Sequence, residues 1–148
     1  MSVASQERIR TDGPSTAQNR VAPLRRILRP IHTRAVHRFR TAAESADAHR
    51  LGSLLAPDVA VVIDAGDVEH PTIRVIAGIQ DAVTMLLHGM AGRPGLSIDE
   101  RAVNGQAGLT LNHNDQEFAT ITIDFTARLI GVVWIRLHPE TLRHWKHV

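Results

Sequence analysis

SIDERAVNGQAGLTLNHNDQEFATITIDFTARLIGVVWIRLHPETL, Ser97 to Leu142, is the stretch that decides the fold of this 148-residue chain. Asn104-Gly105 is a hairpin signal, because both central positions of a type I′ turn need positive φ and these two residues tolerate it. A strand is expected on each side of it. Further on, Ala119, Ile121, Ile123 and Phe125 alternate with Thr120, Thr122 and Asp124, so Glu117 to Phe125 has the period of a half-buried strand. Leu129 to Leu137 differs: Ile130, Val132 and Trp134 oppose Leu129, Val133, Ile135 and Leu137. A segment apolar on both faces is a strand covered on both sides.

Upstream lies a helical pattern. Ile79, Ala82, Val83, Leu86, Leu87 and Met90 recur at helical spacing, with Asp81 placed favourably in the first turn, and Gly92-Arg93-Pro94-Gly95 ends the run. Thr72 to Ala77 and Val59 to Ile63 read as strands, joined by a turn over Asp64-Ala65-Gly66-Asp67 and closed by the Gly78 break. Before them, Asp47 caps a short helix in which Leu51, Leu54 and Leu55 share a face and which Pro57 stops. From Ile31 a longer helix presents Ala35, Val36, Phe39, Ala42, Ala43 and Ala46 on one face. Helices, a strand pair, one more helix and a run of antiparallel strands predict an α+β fold. In it a cone-shaped, curved antiparallel sheet carries about three helices on its concave face, with a pocket between the layers.

The length suits one folded domain, over residues 31–148, preceded by a basic tail over 1–30 with no sustained apolar period. Residues 1–40 hold nine Arg against Glu7 and Asp12, and the remaining residues hold eight Lys or Arg against thirteen Asp or Glu, so the two parts carry +7 and −5. Such a tail offers contacts to nucleic acid or an acidic surface, without aromatic residues for stacking. The chain has no cysteine, which excludes disulfides, thiolate metal sites and a cysteine nucleophile. No apolar run approaches the roughly 20 residues that span a bilayer, and the N-terminus lacks the apolar core of a signal peptide. A cytoplasmic location and no membrane partner are therefore expected.

Several motifs in order resemble the SnoaL-like branch of the nuclear transport factor 2-like superfamily. They are Leu54-Leu55-Ala56-Pro57-Asp58-Val59, Asp64-Ala65-Gly66, Val103-Asn104-Gly105-Gln106 and His138-Pro139-Glu140-Thr141-Leu142. The variety they resemble most is the domain appended to extracytoplasmic-function sigma factors, over about Val36 to Trp145. Departures from that pattern fall at Ala65 and Asp67, where the family has glycines, at His138, Glu140 and Thr141 in the closing motif, and at Ala127, near which it has a glycine. The promoter-binding regions of a sigma factor have no room here. The resemblance implies a regulatory domain that binds a small apolar ligand or a protein partner, with the transcription machinery as one such partner.

Relatives in that superfamily include ketosteroid isomerase, limonene epoxide hydrolase and polyketide cyclases, which implies acid–base groups in the pocket as the alternative. The chain has no tyrosine, so an oxyanion hole built on a tyrosine hydroxyl is excluded. Asp64, Arg74 and Asp124 are candidates for a carboxylate–guanidinium–carboxylate group of the hydrolase kind; equally, the two acids end a strand and precede a turn while the arginine is solvated. Among nine scattered histidines, His70 and His88 are the better placed for a general base, and no metal site or cofactor is expected. Ile130 to Trp134 reproduces the spacing at which SnoaL-like relatives place an aromatic in the pocket. The expected lining is Ile63, Leu86, Met90, Ile121 and Trp134, and the expected assembly is a homodimer through the sheet that buries Val133, Ile135 and Leu137. The leading expectation is thus a non-enzymatic binding domain, with a small hydrolase, isomerase or cyclase as the alternative.

Overall fold

The structure of the chain is a computed structural model that describes residues 31–66 and 69–138. The basic tail over 1–30, Asp67 in the expected turn, and the closing segment from Pro139 with His144, Trp145 and His147 lie outside the described residues. A boundary between two units of the chain falls between His32 and Thr33, and the elements below, from Thr33 onward, build the second.

Helix α1, helical over 31–44, buries Val36, Phe39, Ala42 and Ala43 along one face, as their spacing predicts. Ala46, expected to continue that face, is instead exposed past the helix end with φ 57°. It forms a left-handed cap in which the Asp47 N–H reaches the Ala42 carbonyl at 3.0 Å. Asp47 then starts helix α2 (Ala48–Ser53), its carboxylate accepting the Arg50 N–H at 3.0 Å. This helix is shorter than expected. Strand β1 (Leu55–Asp64) begins at once, so Leu55 and Pro57 belong to a strand and Pro57 does not stop the helix. Between Leu55 and Ala60 the register of β1 shifts, and a proline with no N–H to donate is tolerated there.

Strand β2 (Ile73–Ala77) is followed by helix α3 (Ile79–Met90), whose buried face is Ala82, Leu86 and Met90. Then come β3 (Leu96–Val103), β4 (Gln106–His113), β5 (Gln116–Thr126) and β6 (Leu129–Leu137). The β3–β4 turn has φ 51° at Asn104 and 83° at Gly105, which is the mirror-image turn that the dipeptide calls for. A second turn of this kind, Asn114-Asp115 with φ 51° and 68°, joins β4 to β5.

The six strands form one mostly antiparallel, curved and unclosed sheet in the order β2-β1-β6-β5-β4-β3. Its one parallel pair is β1–β6, which sets β6 in the interior of the sheet. The core runs from α1, α2 and α3 onto one side of it, through Phe39, Leu51, Leu86, Met90, Val61, Ile121, Ile123 and Val133. Phe125 shares the face of Ile121 and Ile123, opposite the buried Ile130, but is less covered than either. Asp124 pairs with Val132 and Phe125 with Ile130, leaving Gly131 as the extra residue of a bulge, and Phe125 is 36% exposed. A Cβ at Gly131 would stand 2.2 Å from the Thr126 hydroxyl oxygen, so any larger residue in the bulge would have to displace the Thr126 side chain. Among the described residues no helix is long and apolar enough to cross a membrane.

Ala127, in the tight β5–β6 turn, sits at φ 57°, where a side chain costs about 1–2 kcal/mol. Ala127→Gly relieves that cost and gives back part of it as chain entropy, so it should stabilise the protein by about 0.5–1 kcal/mol. A urea melt should show a later midpoint at unchanged slope; an earlier midpoint would mean that the turn carries no strain at this residue.

Candidate functional site

Directly opposed residues of neighbouring strands lie on the same face of a sheet, so the register sorts every candidate side chain. Glu100, Leu109, Ile121, Ile135, Ile63 and Arg74 form one row across all six strands. Ile123, Val133, Val61 and Ile76 form the adjoining row on the same face. This is the side the helices cover, since Ile121, Ile123, Val61 and Val133 are buried in the core. The other face carries Thr122, Trp134, Val62 and Val75 in one row and Thr120, Arg136, Asp64 and Ile73 in the next.

Four of the five expected lining residues, Ile63, Leu86, Met90 and Ile121, meet in the interior, each at most 9% exposed. Trp134 stands on the opposite face and is 45% exposed; it lines no chamber with those four. Its indole N–H donates to Asp124 Oδ2 at 2.7 Å, a charge-assisted bond that fixes both side chains. Val133 is fully buried among the helices' partners, so it cannot form an interface between copies, and Ile135 and Leu137 pack against the same core. Past its bulge, the apolar residues of β6 that face outward are Val132 and Trp134.

The structure does not bring Asp64, Arg74 and Asp124 together. Asp64 ends β1 on the outer face, and Arg74 lies one residue out of register from it, on the helix side of the edge strand. Asp124 is two strands away and engaged by Trp134. His88 is exposed in the last turn of α3, its carbonyl accepting from Arg93 Nη1 at 3.2 Å. These four groups share no common point at which a reacting atom could be held.

One polar cluster that the sequence reading missed does converge. Glu100 Oε2 on β3 accepts from Arg40 Nη1 at 2.9 Å and from His37 Nδ1 at 2.7 Å, both from α1. Arg40 also lies 3.5 Å from Glu44 one turn along. Burial pushes the Glu100 carboxyl up, but the bonds and charges of His37 and Arg40 outweigh it and hold the group below its ordinary value. An ionised carboxylate only accepts, so His37 Nδ1 carries the proton in this pair. The partners lie 60 and 63 residues from Glu100. The only local hint is that His37 and Arg40 are three apart and so share a helix face.

No protein-family model matches the chain, and no curated protein matches it. Solved structures do. A cystatin-like protein of Silicibacter pomeroyi is 15% identical with TM-score 0.57, covering 78% of this chain and 80% of its own. A nuclear transport factor 2-like protein of unknown function from Cytophaga hutchinsonii is 13% identical with TM-score 0.52, covering 75% and 94%. The extracytoplasmic function sigma factor SigJ of Mycobacterium tuberculosis is 19% identical with TM-score 0.55; 89% of this chain matches 51% of that one. The fold is therefore the nuclear transport factor 2-like α+β cone, and this chain spans about half the length of the sigma factor it resembles.

The Glu100 clasp gives a pH-dependent expectation. A carboxyl held below its unfolded value of 4.5 adds stability that is complete above that value and is lost as pH falls through the folded one. Glu100→Gln should therefore cost about 0.5–1.5 kcal/mol at pH 7, with the gap to wild type closing as the pH is lowered below the unfolded value. Chemical denaturation at neutral and acid pH measures it; a gap that widens in acid would contradict the clasp.

Proposed function

We propose that this domain is a non-enzymatic, cytoplasmic module that associates with protein through its sheet. The observation that carries the reading is the outer face. Ile73 is 59% exposed, Val75 61% and Trp134 45%, and Val62 lies between Val75 and Trp134 in one row across β2, β1 and β6. A contiguous apolar patch on a sheet face is the kind of surface at which proteins associate. Trp134, held by Asp124, is a pre-ordered aromatic of the kind that anchors interfaces, because little side-chain entropy is lost when it docks.

Catalysis is less well supported by the same geometry. The acid–base candidates lie on two faces, and the interior lining residues are packed into the core instead of standing around a charged group. A small apolar ligand in the interior would need Leu86, Met90 and Ile121 to give way, and each is about 1% exposed, whereas a protein surface needs only what already faces out.

Sedimentation velocity across a range of concentrations tests the reading. The domain should associate, and Val75→Glu should weaken that association by roughly tenfold or more, since it places a charge within the apolar patch. Steroid, epoxide and polyketide-like panels should show no turnover. Turnover abolished by Asp64→Asn or Asp124→Asn would overturn the proposal in favour of an enzyme; a monomer at every concentration that also ignores Val75→Glu would remove the sheet as the association surface.

A further inference from the structure

Among the described residues the sheet has two unpaired edge strands, and the chain treats them differently. Edge strand β3 carries three consecutive charges, Asp99, Glu100 and Arg101, a common way of blocking addition of a foreign strand. Edge strand β2 reads Ile73-Arg74-Val75-Ile76-Ala77. It has one charge, no proline, and no bulge in its pairing with β1, and four of its five residues are exposed. Among the described residues no strand pairs with its outer side.

Which of its main-chain groups point outward follows from two bonds. The Ala65 N–H reaches the Thr72 carbonyl and the Gly78 N–H reaches the Val59 carbonyl, each at 2.9 Å. Ladder bonds in an antiparallel pair recur at every second residue, so Arg74 and Ile76 also turn their main chain toward β1. Ile73, Val75 and Ala77 turn theirs away from it. A row of outward donors and acceptors on a straight, β-branched, nearly uncharged strand is a template for another strand.

We propose that the occupant is a second copy of this chain, joined antiparallel along β2 about a two-fold axis at Val75. The proposal rests on sheet-mediated association as read above and specifies its mode. In this register Val75 faces Val75 of the second copy and Ile73 faces Ala77, so every outward N–H and carbonyl of the three residues meets its complement. Arg74 faces Ile76, which keeps the two guanidinium groups from opposing each other. On the helix side, where Arg74 lies, each copy presents Asp81 in the first turn of α3, so the pairing brings unlike charges to the same side of the joint. The six-stranded sheet becomes one continuous sheet of twice the width. The Trp134–Val62–Val75 rows of the two copies then meet at the axis as a single apolar surface, left open for a further protein. A two-fold joint of this kind closes on itself and does not propagate into a fibre.

The chain has no cysteine, so single cysteines report the joint without background. Val75 would pair with itself at a hydrogen-bonded position, about 5.5 Å between Cα atoms, inside the range a disulfide spans. Under mild oxidation the full chain with Val75→Cys should form a disulfide-linked dimer at least about tenfold faster than one with Ser97→Cys on the other edge. Ile73→Cys and Ala77→Cys should cross-link when mixed and not separately, a check that survives if Val75→Cys folds poorly. If wild type sediments as a dimer while neither cysteine pattern appears, the copies meet elsewhere on the sheet: the edge joint fails and sheet association stands. A wild type that stays monomeric removes both.

Discussion

The register of β6 between β1 and β5 is the constraint on which the rest of the molecule depends. Side chains alternate across a strand, so sliding β6 by one residue would exchange Val133 for Trp134 and turn every neighbour with it. The observed pairing, Val133 with Ile123 and Val61, sends a medium-sized branched residue into the core. It sends an indole, which needs a partner for its N–H, to a face where Asp124 supplies one. Reversing the two would bury a donor among Phe39, Leu86 and Met90 and expose a valine. The bulge at Gly131 lets β6 keep this register while its beginning pairs differently with the end of β5.

With the register fixed, polar chemistry is distributed and not concentrated. Asp64, Asp124 and Arg136 lie outside, Arg74 is on the helix side of a free edge, and Glu100 is spent on joining β3 to α1 through His37 and Arg40. That clasp has the composition of a catalytic group and the geometry of a structural one. Its carboxylate bridges two layers of the fold, and His37 is 60% exposed, with no wall around it to exclude water from a reaction. What the molecule presents outward is apolar side chains and an open strand, the equipment of association.

Much of this was legible in the sequence, and the gaps have physical causes. The Asn104-Gly105 turn, the Asp47 cap, the buried stripes of α1 and α3 and the α+β order could all be read, because each depends on residues within a few positions of one another. The β6 faces look alike in sequence: with apolar residues on both, periodicity announces burial without saying which side meets the helices, and so it points Val133 toward an interface that the residue cannot reach. Trp134 was drawn into the pocket by family spacing, yet its hydrogen-bond need is met on the other face. The Asp64–Arg74 pairing failed by a single residue of register, and Glu100 escaped notice because its partners are some sixty residues away.

Adjacent substitutions in β6 test the register most directly. Val132→Lys puts a cation on the outer face opposite Asp124 and should cost no more than about 1 kcal/mol of stability. Val133→Lys forces an unpaired charge into the core and should cost about 4 kcal/mol or more, or leave the protein unfolded. Denaturant unfolding of the two variants side by side should give that order; comparable losses, or a larger loss at Val132, would contradict the register and with it the placement of Trp134 and of the association surface.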